Sequence, residues 1–322
     1  KINAGTNVTV TGNGTDATPY IINSSVAITD NRVFEQINEG NGLGTVFKGR
    51  FPGNYGNVGL AAIDMSISSS TSSTLGATGS YSVAMGRNVM ASGFDSFAVA
   101  GAFSETNSAK ATGDGSIAIG RDTVASGADS CAISGGAALT TASSNNSMAL
   151  HGGTASASSS FAIGIGVTGG LSIPGSSLAS GNYSTVIGLG ESSGEYSKSI
   201  SLLGNAKSFA ETIMGTYPDD IAAPLSTNIF NPLDKLFSIG NGGSSVSKSN
   251  AFVLLKNGLG TLPSVTNALI TSASGKAIVT KEYLEASNNL QKVITTSTVI
   301  LDIDNNNTIF INNGATPITI TI

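Results

Sequence analysis

The sequence predicts an all-β chain whose middle is a stacked parallel β-roll, a β-solenoid, with β-rich flanks and a short helical neck. Three observations predict it. A five-residue phrase with alternating apolar positions returns along the middle of the chain. A glycine-bearing phrase precedes most copies at a fixed offset. The composition also suits stacked turns better than an ordinary globular core: of 322 residues 41 are Gly, none is Trp and only 11% are charged, where about 25% is usual. Disorder is the competing reading of such a chain. The 40% apolar content, gathered into short regular runs, argues against it, because stacked runs can offset the entropy of ordering the backbone.

The five-residue phrase reads Ser, apolar, Ala, apolar, then Gly or a small substitute. It occurs as Ser82-Val83-Ala84-Met85-Gly86, Ser96-Phe97-Ala98-Val99-Ala100, Ser116-Ile117-Ala118-Ile119-Gly120, Ser130-Cys131-Ala132-Ile133-Ser134, Ser147-Met148-Ala149-Leu150-His151 and Ser160-Phe161-Ala162-Ile163-Gly164. A degraded copy is Ser184-Thr185-Val186-Ile187-Gly188, and a shifted one is Ser199-Ile200-Ser201-Leu202. Ala77-Thr78-Gly79, Ala91-Ser92-Gly93, Ala111-Thr112-Gly113, Ala125-Ser126-Gly127 and Ala179-Ser180-Gly181 each begin five residues before a repeat serine. Successive serines stand 14 residues apart in several cases, as from Ser116 to Ser130. That is too short for a helix pair, which takes about 33 residues or more. It suits a coil of two short strands and two tight turns, with coils stacked about 4.8 Å apart.

Alternation along a strand separates the phrase into two faces. The branched second and fourth positions are assigned to the roll core: Val83, Met85, Phe97, Val99, Ile117, Ile119, Cys131, Ile133, Met148, Leu150, Phe161, Ile163 and Ile187. The small residues opposite, Ala84, Ala98, Ala118, Ala132, Ala149 and Ala162, are assigned to a subunit interface, since a solvated face would tolerate Lys or Glu. A narrow roll has a thin core, and trimerisation would supply the missing burial.

The division of the chain follows from these repeats. Residues 1–56 form an N-terminal β-rich, base-proximal segment with a hairpin over Arg32–Ile37 and Thr45–Lys48, Asn41-Gly42 lying near its turn. Residues 57–215 form the roll. Residues 216–258, broken by Pro218, Pro224 and Pro232, form an insertion that caps it. Residues 259–291 form a neck in which Val279, Tyr283, Ala286 and Leu290 follow coiled-coil spacing behind the helix-capping Thr280. Residues 292–322 begin a further β-domain. The start at Lys1 and the stop inside Ile318-Thr319-Ile320-Thr321-Ile322 are read as the limits of a fragment.

Little in the chain points to chemistry. The net charge of −5 offers no basic stripe for nucleic acid, and the apolar runs are too short to span a bilayer. Cys131 has no second cysteine to pair with and reads as a buried, inert thiol. His151, the lone histidine, takes a slot held by Gly in other rungs and reads as a turn residue rather than a metal ligand. Arg87 and Arg121, each after a repeat Gly, read as solvated turn charges, and Asp219-Asp220 as a turn. Asp302, Asp304 and Asn306 resemble the opening of a calcium loop without its Gly and closing Glu. No metal, cofactor or catalytic residue is expected. Asp95, Asp114, Asp122 and Asp129 are too scattered to form the paired carboxylates of a polysaccharide depolymerase.

The two phrases resemble the head repeat of trimeric autotransporter adhesins of the YadA type, over about residues 57–215. The resemblance implies a left-handed parallel β-roll assembled as a homotrimer. Lys1–Gly12, Phe34–Gly42 and Gly275–Tyr283 are similar instead to segments of phage tail-fibre-like proteins. Together these resemblances imply a non-enzymatic structural fibre on a virion or extracellular particle, presenting a distal receptor-binding tip. Its expected partners are copies of itself, other particle proteins at the N-terminus, and a host surface glycan or protein. The alternative is a bacterial cell-surface adhesin that binds matrix or glycans.

Overall fold

A computed structural model describes residues 8–12, 14–24, 32–101, 108–135, 138–164, 177–220, 222–273 and 281. The chain divides into two compact units, Lys1–His151 and Gly152–Ile322. Nearly all regular structure is β-strand, and the one α-helix among the described residues is Asn267–Ser272.

In the first unit, Val8–Thr11 pairs antiparallel with Ile21–Ser24, and the hairpin expected near Asn41-Gly42 forms between Phe34–Asn38 and Leu43–Phe47. Gly40 and Gly42 turn it with φ of 109° and 103°. Leu43–Phe47 then pairs parallel with Ile63–Ile67, and a parallel stack begins. One column of strands runs through Ile63–Ile67, Val83–Arg87, Phe97–Gly101, Ile117–Ile119, Cys131–Ile133 and Met148–Leu150. A second runs through Gly76–Ala77, Met90–Ala91, Ala109–Ala111, Thr123–Ala125 and Thr140–Ala142. Each 14-residue repeat is therefore one strand from each column, and like residues stack on like: Ala84, Ala98, Ala118, Ala132 and Ala149 stand in a single file.

The second unit has the same construction. Phe161–Ile163, Thr185–Ser192, Lys198–Ala206, Thr212–Thr216 and Lys235–Asn241 stack in parallel. The stack stops where Lys235–Asn241 takes an antiparallel partner, Asn250–Leu255, which in turn pairs with Gly260–Thr261. The short helix follows, its first turn capped by Thr266 Oγ1, which accepts from Leu269 N at 3.3 Å.

The two faces of the repeat strand are the reverse of the expectation. Ala84, Ala98, Ala118, Ala132, Ala149 and Ala162 are fully buried within the chain itself, so they are the core of the roll and not a subunit interface. None of the thirteen residues assigned to the core is buried: Ile117, Ile133, Met148 and Ile187 are exposed, while Val83, Met85, Phe97, Val99, Ile119, Cys131, Leu150, Phe161 and Ile163 are half-buried. The physical reason is width. A Cβ placed on Gly153 would stand 2.5 Å from the Ala162 carbonyl oxygen and 3.0 Å from the Ala162 Cβ across the interior. No isoleucine fits between strands that close. Where the second unit does admit Ile213 to the alanine file, Gly204 stands against it, and a Cβ there would come within 3.0 Å of Ile213 Cγ2. Volume inside the roll is conserved, as close packing requires.

The fixed residues of the two phrases follow from the same stack. A Cβ on Gly79, Gly93, Gly113 or Gly127 would overlap a backbone carbonyl of the next rung, so the Ala-x-Gly glycine is needed for close approach. Gly86 and Gly120 need their freedom for another reason, with φ of 106° and 102°. Three repeat serines close their own turn, Ser82 Oγ donating to the Gly79 carbonyl at 2.7 Å, Ser147 Oγ to the Ser144 carbonyl at 2.6 Å and Ser160 Oγ to the Ala157 carbonyl at 2.6 Å, whereas the Oγ atoms of Ser96, Ser116, Ser130, Ser184 and Ser197 are buried without a partner among the described residues.

Charged groups lock the ends of the stacks. Arg50 donates to Asp64 and to Glu39, both at 2.6 Å, and its guanidinium lies 4.7 Å from the centre of the Tyr55 ring. Burial pushes the Asp64 carboxyl above its ordinary value, against the lowering effect of hydrogen bonds from Ser66 and of the Arg50 charge. In the second unit Glu211 accepts from the backbone N–H of Lys207 and Ser208, and Asp220 accepts from Lys248 at 2.7 Å and from Asn205 N at 2.6 Å. Burial raises the Glu211 carboxyl likewise.

Two outcomes follow. Gly113→Ala should destabilise the chain by about 2 kcal/mol through overpacking, read as an earlier urea midpoint with an unchanged slope. Arg50→Ala strands two acidic groups near its buried position and should cost about 3 kcal/mol. Arg50→Lys should recover only part of that, because it keeps the charge without the two-pronged geometry.

Candidate functional site

With alanine inside, the larger side chains of the first unit's repeat strands point outward in register. In the first unit Ile63, Val83, Phe97, Ile117, Cys131 and Met148 form one stripe, and Met65, Met85, Val99, Ile119, Ile133 and Leu150 form a second beside it. In the second unit Ile163, Ile187, Ile200, Met214 and Ile239 form a stripe of their own. The exposed members of these stripes lie between 36% and 40% exposed. Single exposed aliphatics are ordinary on a protein surface. Adjacent files of them, held flat by parallel strands, make a contiguous apolar patch of the kind that marks an interaction surface.

The other residues singled out from the sequence take simpler places. His151 is exposed at a turn with φ of 48°, and its N–H donates to the Ile133 carbonyl at 2.9 Å. Arg121 approaches Asp122 at 3.7 Å with its side chain 42% exposed, and Arg87 is exposed. Asp219-Asp220 is more than a turn: Asp220 is buried, and the Asp219 carbonyl accepts from Lys235 Nζ and Asn250 Nδ2. Cys131 lies on the outward stripe, half-buried, with its thiol pushed up by desolvation. The neck residues Val279, Tyr283, Ala286 and Leu290, together with Asp302, Asp304 and Asn306, lie outside the described residues. Among the described residues no group of three or more His, Cys, Asp or Glu is placed to hold a metal ion, and no helix is long and apolar enough to cross a membrane.

One feature went unread in the sequence. The residue before each repeat serine adopts a left-handed conformation, as at Asp95, Asp129, Asn146 and Ser159, with φ of 53° to 54°. Asp, Asn and Gly suit that slot. Tyr81, Tyr183 and Tyr196 occupy it too, with φ of 59°, 57° and 58°. Tyr81 meets Phe94 edge-on at 5.4 Å; Tyr183 stacks on Tyr196 at 4.9 Å with ring planes 4° apart, and Tyr196 meets Phe209 edge-on at 5.7 Å. The signal was present: Tyr-Ser recurs in phase at Tyr81-Ser82, Tyr183-Ser184 and Tyr196-Ser197.

These features define a class: a parallel β-roll of short rungs with a small-residue interior and an apolar outer face. Residues 111–133 match two copies of the YadA head domain repeat. The matched stretch holds the strands Ile117–Ile119, Thr123–Ala125 and Cys131–Ile133, with the intervening Ala-Ser-Gly phrase. No curated protein and no solved structure matches the chain.

The raised thiol gives a direct check on the outward stripe. Cys131 should react with iodoacetamide near neutral pH more slowly than free cysteine, because only the thiolate attacks, and should reach the free rate in guanidinium. Immediate labelling of the native protein would place Cys131 in open solvent.

Proposed function

We infer that the chain is a non-enzymatic, homotrimeric segment of a surface attachment fibre, in which the outward stripes of three copies face one another. The observation that supports this is the inverted strand: the roll fills its own interior with Ala and Ser and leaves its branched side chains half-exposed in continuous files. Burying such a file gains about 25 cal/mol per Å² of apolar surface. Successive rungs of the first unit present the same pattern, so the gain would repeat from rung to rung there. A trimeric fibre works mechanically. It gives reach, and three copies of a distal receptor-binding tip raise the strength of attachment through avidity.

The setting is a virion or phage-like particle in the reading that the flanking segments Lys1–Gly12, Phe34–Gly42 and Gly275–Tyr283 support. The matched repeats at 111–133 favour the second setting, a bacterial cell surface. Immunogold labelling with an antibody to the roll separates the two, by decorating either particles or the cell envelope.

Solution mass tests the assembly. The protein should weigh three times 32.1 kDa, and Ile133→Asp should reduce it to a monomer whose far-UV dichroism is unchanged. A native monomer would remove the fibre reading. A trimer that Ile133→Asp leaves intact would move the contact to another face.

A further inference from the structure

The aromatic column of the second unit ends abruptly. Tyr183 stacks on Tyr196 on one side, and their rings are parallel at 4.9 Å, the distance between rungs. On its other side the same slot of the neighbouring rung holds Ser159, as the pairing Phe161↔Thr185 sets two residues further on, and the Tyr183 N–H donates to the Ser158 carbonyl at 3.0 Å. The column therefore stops one ring short. Among the described residues a step one rung deep, about 4.8 Å, lies beyond the terminal tyrosine, and its floor is the half-buried Ser158 and Ser159.

Tyr183 is 50% exposed although it is stacked, and it keeps a left-handed backbone that a bulky side chain resists. The same slot is left-handed on the neighbouring rungs, at Ser159 and Tyr196, so the turn itself sets that conformation. The neighbouring rung brings the half-buried Ser158 and Ser159 to this turn, and the exposed Asn182 precedes Tyr183 in it. The wall is aromatic, and the residues beside it are serine and asparagine, which are neutral hydrogen-bonding groups. A flat ligand with an apolar face and a hydroxyl-bearing edge meets all of these conditions.

We propose that Tyr183, with Ser158, Ser159 and Asn182, forms a binding site for a neutral pyranose of a surface glycan. The sugar's C–H face lies on the open face of Tyr183, where the next ring of the column would be. Its edge hydroxyls exchange hydrogen bonds with the serine floor and the Asn182 amide. The rigid roll holds the site open in advance, and preformed sites of this construction lose little on ordering. The proposal gives the attachment fibre a ligand class along its shaft, and it stands on the geometry of a single chain.

The test uses the full chain with short neutral chito-, malto- and galacto-oligosaccharides. Saturation-transfer NMR reads the sugar, and tyrosine emission reads the protein, because no Trp is present to mask it. At least one of the three sugars should bind. Tyr183→Ala should weaken it about tenfold, the order of one aromatic contact, while Tyr183→Phe should retain it. Ser159→Tyr keeps Tyr183 and fills the step with a side chain that neighbouring rungs accept in the same slot, so it should weaken binding as much. Dichroism and solution mass confirm that each variant is folded. Absence of binding by all three sugars, or wild-type binding by both Tyr183→Ala and Ser159→Tyr, overturns the site. A trimer that binds none of them removes the sugar site and leaves the fibre, whereas a monomer that binds one removes the fibre and leaves the site.

Discussion

At the repeat alanines, two strands of one rung face each other across a gap that admits little more than a methyl group. Almost every regularity of the chain can be traced to that spacing. It selects Ala at the centre of the repeat strand, with Ala84, Ala98, Ala118, Ala132 and Ala149 closed from solvent in one file. It selects Ser at the turn, where a short hydroxyl can bond the carbonyl three residues back without needing width. It forbids a Cβ at Gly79, Gly93, Gly113 and Gly127, where each rung rests on the backbone of the next. Where a larger group enters, as at Ile213, a glycine stands against it. Overpacking of a core costs as surely as a cavity does, and here the tolerance is narrower than in a globular core.

A roll that fills its interior with methyl groups buries little apolar surface per residue. The branched side chains that could bury more have no place inside, so they stand outside in files. In the proposed trimer those outward files would supply the burial that the interior lacks. The ends of the stacks solve a separate problem. Open rungs expose backbone and apolar edges, and the Arg50 cluster and the Asn250–Leu255 hairpin supply hydrogen bonds and cover there. Solenoids need capping of this kind.

The repeat, the rung length and the turn glycines were all legible in the residues, because each follows from local geometry. The direction of the faces was not. Alternation shows that Ile117 and Ile119 share one side and Ser116 and Ala118 the other, but it does not say which side is inside. The usual rule sends branched residues inward. Deciding against it needs the distance between facing strands, which no local pattern contains. The Arg50–Asp64–Glu39 cluster was hidden for a similar reason, since its three members are joined only when the hairpin folds against the first rung. The aromatic column was legible in principle from the tyrosines that precede repeat serines. The ring contacts themselves depend on the rung spacing that brings one turn over the next, which no local pattern contains.

One substitution separates the two possible faces of the strand. Ala118→Leu places a branched side chain in the file that the roll keeps closed. If that file is the interior, the rungs cannot close around it: the β-type far-UV signal should melt several degrees earlier than in the wild-type chain, as a loss of about 2 kcal/mol implies, or fail to form. If Ala118 instead faces a neighbouring copy, the same variant would dissociate while each chain kept its native spectrum and melting temperature, and the account of the interior would be wrong.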